Sequence, residues 1–286
     1  MRIIDTCPAM LAAYDGTVFC FEQRKSYIDS ALPGGASLFV SDMKQCLETG
    51  SVSWEKDYLP VLNAVALRDD LREQAHDSFC RTTEHLERSV HDKFGRGLDA
   101  DIVFYLGLCN GAGWVTEYQG RKAVFLGIEK IMELNWCGID DMYGLIYHEL
   151  GHVYQWQYGV LDRTLDRQAD RFLWQLFTEG IAMYFEQALV GDPEYFHQDK
   201  DGWKAWCDSH FEEIKGDFDR ELNTMTVASQ RWFGDWVEYH GRGDTGYYLG
   251  CRFVRYILSM YELDEIICFD MDTVARLYRQ FIDAPK

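Results

Sequence analysis

Residues 144–159, "GLIYHELGHVYQWQYG", hold two histidines four positions apart with a glutamate directly after the first. At 3.6 residues per turn, positions i and i+4 lie one above the other on a helix face. His148 and His152 therefore point the same way, at a spacing that lets both imidazoles reach one metal ion. Glu149 is rotated about 100° from His148, close enough to touch a water at such an ion without displacing a ligand. Met142, Ile146, Leu150 and Val153 cluster on the opposite side of the wheel. The helix can bury that side while its polar face lines a cleft. Asp140 or Asp141 is placed to cap it and Gly159 to end it.

Catalytic zinc usually takes three protein ligands and a water, so a third side chain is required. A third histidine at the end of an HExxHxxGxxH run is excluded, because Gln155 and Tyr158 stand at the glycine and histidine positions. A glutamate on a following helix is the other common solution. "FTEGIAMYFE" (177–186), within a helix expected over 166–189, supplies Glu179, 27 residues after His152. Glu179 shares a face with Gln175, Ala182, Met183 and Glu186, and the small Gly180 and Ala182 beside it allow two helices to approach closely.

HELGH followed by T-E-G-I-A resembles the gluzincins, the thermolysin-like clan of zinc metallopeptidases. Within that clan the likeness is to bacterial zinc-dependent proteases of uncharacterised substrate, and it is firm over 140–190. The resemblance implies a zincin-like fold, a Zn2+ cofactor, and a peptide or protein substrate. It makes His148, His152 and Glu179 the zinc ligands and Glu149 the general base. "GYYLGCRFVRYI" (246–257) is similar to a Tyr-x-x-Gly segment whose tyrosine stabilises the oxyanion, which points to Tyr247, with Gly250 three residues on. Tyr248 and His240 are the alternatives. The family also suggests that a strand upstream of the zinc helix binds extended substrate by strand addition, a role that 101–127 can fill. One departure stands out: thermolysin has an acidic residue four positions after its ligand glutamate, orienting a zinc histidine, and here that position is Met183. Asp166, Asp170 and Glu186 are the candidates for that task.

The rest of the chain reads as the body around this helix. "DIVFYLGL" (101–108) is β-branched and aromatic, hence strand-like, and 114–127 reads as two strands joined at Gln119-Gly120. "CNGAGW" between them lacks the Lys and Ser/Thr of a phosphate loop and reads as a turn. From Tyr58 to Phe94, Leu62, Val65, Leu71, Ala75, Phe79, Leu86 and Val90 suit long amphipathic helices. "GTVFCFEQ" and "ASLFVSD" are short apolar segments, "LPGG" (32–35) is a turn, and "HGRGDTG" (240–246) breaks an aromatic-rich helical region. His76, His85, His91, His197 and His210 belong to no motif and read as surface or structural residues. Trp203, Trp206, Trp232 and Trp236 read as core, with the lining of a substrate groove as the alternative. The expected fold is α+β: a mainly helical, single unit over 1–286, with a mostly helical 1–100, a small sheet in 101–127 beside the HExxH helix, and a helical catalytic part over 140–286.

Composition bounds the partners. With 286 residues and a formal charge of −19, the surface repels phosphate backbones and anionic lipid heads, so neither nucleic acid nor membrane is expected. Nine cysteines with no CxxC pair suit reduced thiols in a cytoplasmic protein. The first residues lack the basic and apolar regions of a signal peptide, and no run of about 18 apolar residues can span a bilayer. The second functional reading is a zinc-binding protein that keeps the fold without peptidase activity, since HExxH reports on metal and water rather than on substrate.

Overall fold

The computed structural model describes residues 1–38, 40–49, 52–234 and 236–284. About 59% of the chain is helical and a small mixed sheet accompanies the helices, so the fold is α+β and mainly helical. Contacts divide it into two compact units, Met1–Glu149 and Leu150–Lys286. The boundary falls inside a helix and not at a linker; that helix, Ile139–Tyr158, is continuous across it.

The first unit carries the strands β1 (Arg2–Asp5), β2 (Tyr14–Asp15), β3 (Val18–Phe19), β4 (Ala100–Tyr105), β5 (Gly113–Tyr118) and β6 (Arg121–Gly127). Its helices are α1 (Phe21–Ala31), α2 (Val40–Thr49), α3 (Leu59–Leu67), α4 (Asp69–Thr83), α5 (Leu86–Phe94), α6 (Ile128–Glu133) and the first part of α7 (Ile139–Tyr158). The main sheet has the order β1-β4-β6-β5. β1, β4 and β6 are parallel, whereas β5 is antiparallel to β6 and outermost. β4 is buried at every position, as a central parallel strand covered on both faces must be. Gln119 and Gly120 both have positive φ, 51° and 75°, the backbone that a two-residue hairpin turn needs to match strand twist. Asp101 on β4 is fully buried and neutralised by Arg2 on β1 and by Arg121 on β6, whose Nε lies 3.0 Å away.

Several expectations shift at this level. β1 was not expected as a strand. "GTVFCFEQ" divides between β3 and the start of α1, and "ASLFVSD" between a helical turn at Gly35–Ser37 and α2, with Phe39 outside the described residues. The 58–94 region forms three helices. Leu62, Val65, Ala75, Phe79, Leu86 and Val90 are buried and Leu71 is half-buried.

The second unit holds the remainder of α7, then α8 (Gln168–Val190), α9 (Trp203–Ser209), α10 (Phe211–Glu221), α11 (Thr245–Leu258), α12 (Leu263–Ile266) and α13 (Met271–Asp283). α8 is buried along most of its length, and Phe177, Phe253, Tyr278 and Phe281 close the core between α8, α11 and α13 through edge and tilted ring contacts. Trp203 and Trp232 are core residues, but Trp236 is 73% exposed. The 240–246 break is a tight turn, with His240 and Gly241 at positive φ between bridged Tyr239 and Arg242. No described helix is long and apolar enough to cross a membrane, and none of the nine cysteines is in a disulfide.

Candidate metal centre

The geometry begins with α7. It starts at Ile139, so Asp140 and Asp141 lie in its first turn and neither is the cap; there they favour the positive end of the helix dipole. Met142, Ile146, Leu150 and Val153 are all fully buried, which fixes the rotation of the helix and turns the opposite face toward the site. At the far end, the Gly159 N–H closes onto the Gln155 carbonyl at 2.9 Å. A Cβ on Gly159 would stand 2.7 Å from the carbonyl carbon of Ile267, so a close backbone approach explains this glycine.

α8 meets α7 through the glycine inside the motif itself. A Cβ on Gly151 would lie 2.7 Å from Cα of Ala182 and 3.0 Å from Cβ of Phe185. Glycine inside a helix costs about 1 kcal/mol against alanine, and this contact is what it secures. Glu179, one turn before Ala182, is thereby brought alongside His152, with Oε2 3.2 Å from Nε2. Gly180 faces the other way: a Cβ there would lie 2.5 Å from the carbonyl carbon of Gly250 on α11. Of the two small residues beside Glu179, Ala182 thus serves the α7 contact and Gly180 the α11 contact.

His148, His152 and Glu179 each offer a ligand atom within 4.8 Å of the others. His148 and Glu149 are buried, while His152 and Glu179 are half-buried. Two donors held about 2.1 Å from one tetrahedral ion stand about 3.4 Å apart, close to the His152–Glu179 separation of 3.2 Å. Two imidazoles and a carboxylate are also a donor set of catalytic zinc. The residues present fit that ion.

Glu149 is set from the sheet side. Gly113, at the start of β5, lies against it so closely that a Cβ would fall 2.7 Å from its Cδ and 2.8 Å from its Cγ. The turn leading into Gly113 is clamped from below. Buried Glu129 on α6 accepts from the Gly107 and Cys109 N–H groups at 2.8 and 3.0 Å, and buried Arg24 donates from Nε to the Leu106 and Gly107 carbonyls, both at 3.1 Å. Burial raises the Glu129 carboxyl above its usual range, against the pull of those N–H groups and Arg24. None of Gly113, Gly151, Glu129 and Arg24 was singled out by sequence. The signal for the glycines was there, since a mid-helix glycine and a glycine opening a strand each need a packing reason.

The remaining candidates fall as follows. Tyr247 lies in the first turn of α11, half-buried, with its ring 5.9 Å from that of Phe233. It precedes Gly250 by one turn, on the helix that packs against Gly180 next to Glu179. Tyr248 is buried and its hydroxyl donates to Asp208 at 2.8 Å, which assigns it to the interior of the second unit. His240 lies 3.7 Å from Glu213. Met183 is fully buried, with Sδ 3.8 Å from Nε2 of Gln198. Glu186 is held by His197, whose N–H and Nδ1 lie 3.1 and 3.0 Å from its oxygens, and Asp170 lies 3.7 Å from Arg167.

Compared with known proteins, the chain matches no family model, no curated protein and no solved structure.

Proposed function

We propose that the chain is a zinc-dependent metallopeptidase of zincin-like fold, acting on peptide or protein substrates in the cytoplasm. The observation that carries this reading is the convergence of His148, His152 and Glu179 from α7 and α8, with Glu149 next in sequence and turned onto the neighbouring face. When bound, zinc in such a set activates water near neutral pH and polarises a carbonyl.

The chain's own residues then divide the work. His148, His152 and Glu179 would hold the ion. Glu149 takes the proton of the attacking water on its carboxylate and delivers it to the departing amine, the role of a general base turned general acid. Gly113 positions that carboxylate, because no side chain intervenes between the β5 backbone and Glu149. β5 is an edge strand of its sheet, at the end opposite β1, so an extended peptide added along it would run past the base. Tyr247 is the donor proposed for the oxygen on which charge develops, a contribution typically worth about 3 kcal/mol. Cysteines outside any disulfide and an acidic surface support a reducing compartment and a substrate other than nucleic acid.

Glu149→Gln tests the assignment. It should leave zinc content near one per site while peptide cleavage falls to background, with wild-type cleavage removed by chelation and restored by zinc. A variant retaining wild-type cleavage would overturn it. If wild-type protein binds zinc but cleaves no member of a peptide library, the reading as a zinc protein without peptidase activity replaces it.

A further inference from the structure

Away from α7, a second group of donor atoms converges where β1 ends against α4. His76 and Cys80 stand four residues apart on α4, the same helical spacing that lets His148 and His152 share an ion. Nε2 of His76 is 2.7 Å from Oδ2 of Asp5 and 3.6 Å from Sγ of Cys80, and the three ligand atoms lie within 4.8 Å of one another. One imidazole nitrogen has a single lone pair or a single proton. Here it faces both a carboxylate and a thiol, an arrangement that one cation satisfies at once.

Neighbouring groups hold these donors in place. The Cys7 N–H donates to the other carboxylate oxygen of Asp5 at 2.9 Å, leaving Oδ2 turned toward His76. The His76 ring lies parallel to Phe104, 6.2 Å between centroids and 10° between planes, and Phe104 is itself stacked on Phe79 at 4.7 Å. Ligand orientation by such outer contacts is a usual feature of metal sites. The contrasting group Glu213, Asp217 and His240 lacks this character: Asp217 is already paired with Arg220 and Arg231 and accepts from the Tyr239 hydroxyl.

We propose that Asp5, His76 and Cys80 form a second metal site, independent of the first, for a borderline divalent cation such as Zn2+ or Co2+. One oxygen, one nitrogen and one sulfur donor select this class over Mg2+ and Ca2+, which take oxygen ligands. Binding requires the Cys80 thiol to give its proton to solvent, and water completes the coordination. Its effect is to tie β1 to α4.

The presence of sulfur makes the site separately observable, because His148, His152 and Glu179 include none. Titrating Co2+ into the reduced, metal-free full-length chain should produce a thiolate-to-cobalt charge-transfer band in the near ultraviolet, whose final amplitude corresponds to one thiolate-bound ion per chain. Cys80→Ser should abolish that band, His76→Gln should weaken Co2+ binding at this site at least tenfold, and Cys7→Ser should leave it in place. Cys80 is exposed, so its serine variant retains the fold, which circular dichroism checks. Absence of the band in the wild type, or its persistence in Cys80→Ser, overturns the proposal. Either result leaves the histidine-glutamate site untouched.

Discussion

Gly113 lies against the carboxylate of Glu149, with room for a hydrogen where any other residue would place a Cβ 2.7 Å from Cδ. The atoms in the way, Oε1, Cδ and Cγ of Glu149, belong to a side chain and not to backbone, so Gly113→Ala is relieved by rotating Glu149 and not by moving the backbone. Stability should change by less than about 1 kcal/mol, since no buried hydrogen bond of β5 is lost. Activity should not survive as well, because displacing a catalytic group by about 1 Å costs on the order of 10²-fold. Peptidase turnover, zinc content and Tm measured on the same preparation check this. A fall in zinc content would show that the glycine supports the ligands and not the base.

Glu179 differs from the other acidic residues of α8 in what it meets. Glu186 is occupied by His197 and Asp170 faces Arg167, whereas Glu179 reaches His152 at 3.2 Å. Glu179→Ala should therefore lower zinc affinity by more than the roughly 10–100-fold that follows loss of an outer partner, measured by competition with a chromophoric chelator. Asp170→Asn should leave it within about threefold.

The motif helix and the shared face of its two histidines were legible because they rest on one short-range rule, the i, i+4 spacing of His148 and His152. The hairpin at Gln119-Gly120 was legible for the same reason, since a two-residue turn is a local object. What escaped was long-range. β1 is four residues whose strand character comes from pairing with β4, about 100 positions away in sequence. Gly151 and Gly113 looked like a motif letter and a turn residue until the facing Ala182 and Glu149 were in place. Gly180 and Ala182 were expected to let two helices approach closely, and both do, but Gly180 meets Gly250 on α11 while Ala182 meets Gly151 on α7. Sequence shows that a residue is small but not which neighbour needs it so.

Gly180→Ala follows from that last contact. The added Cβ would fall 2.5 Å from the Gly250 carbonyl carbon and 2.7 Å from Cγ2 of Val254, and a backbone carbonyl cannot swing aside. Overpacking of this kind costs about 1–3 kcal/mol, which in a chain of this size lowers Tm by several degrees. Because Glu179 is the preceding residue, zinc affinity should fall together with stability. Thermal melts with and without zinc test the coupling: a variant that loses stability but binds zinc normally would separate the α8–α11 contact from the site.

The adjacent tyrosines of α11 offer a matched pair. Tyr248 is buried and donates to Asp208, which also receives Lys204 and Arg252. Tyr248→Phe should cost about 1.5–3 kcal/mol in stability, the range for a hydrogen bond to a charged group, and leave kcat unchanged. Tyr247→Phe should do the reverse, lowering kcat about 10²–10³-fold with KM and Tm little altered. Equal kinetic effects from both would remove Tyr247 from the reaction.

Glu129 carries the clearest pH signature. It is fully enclosed, accepts from two backbone N–H groups, and has its carboxyl raised above the ordinary range chiefly by burial. A carboxyl raised on folding binds its proton more tightly in the native state than in the unfolded one. Its protonation thus favours the folded state, fully so below the unfolded pKa, about 4.3 for a free glutamate, and that advantage is lost as pH rises through the raised native value. Glu129→Gln removes the titration and also turns an amide NH2 toward the Gly107 or Cys109 N–H, leaving a buried donor unsatisfied at about 1–3 kcal/mol. The variant should be less stable than wild type at pH 4, and the gap should narrow as pH is raised to 7. Denaturant melts across that range measure it directly. A gap that widens with pH would mean that the native carboxylate, held by the two N–H groups and Arg24, is favoured over the acid, reversing the balance between burial and hydrogen bonding at the base of the Gly107–Gly113 turn.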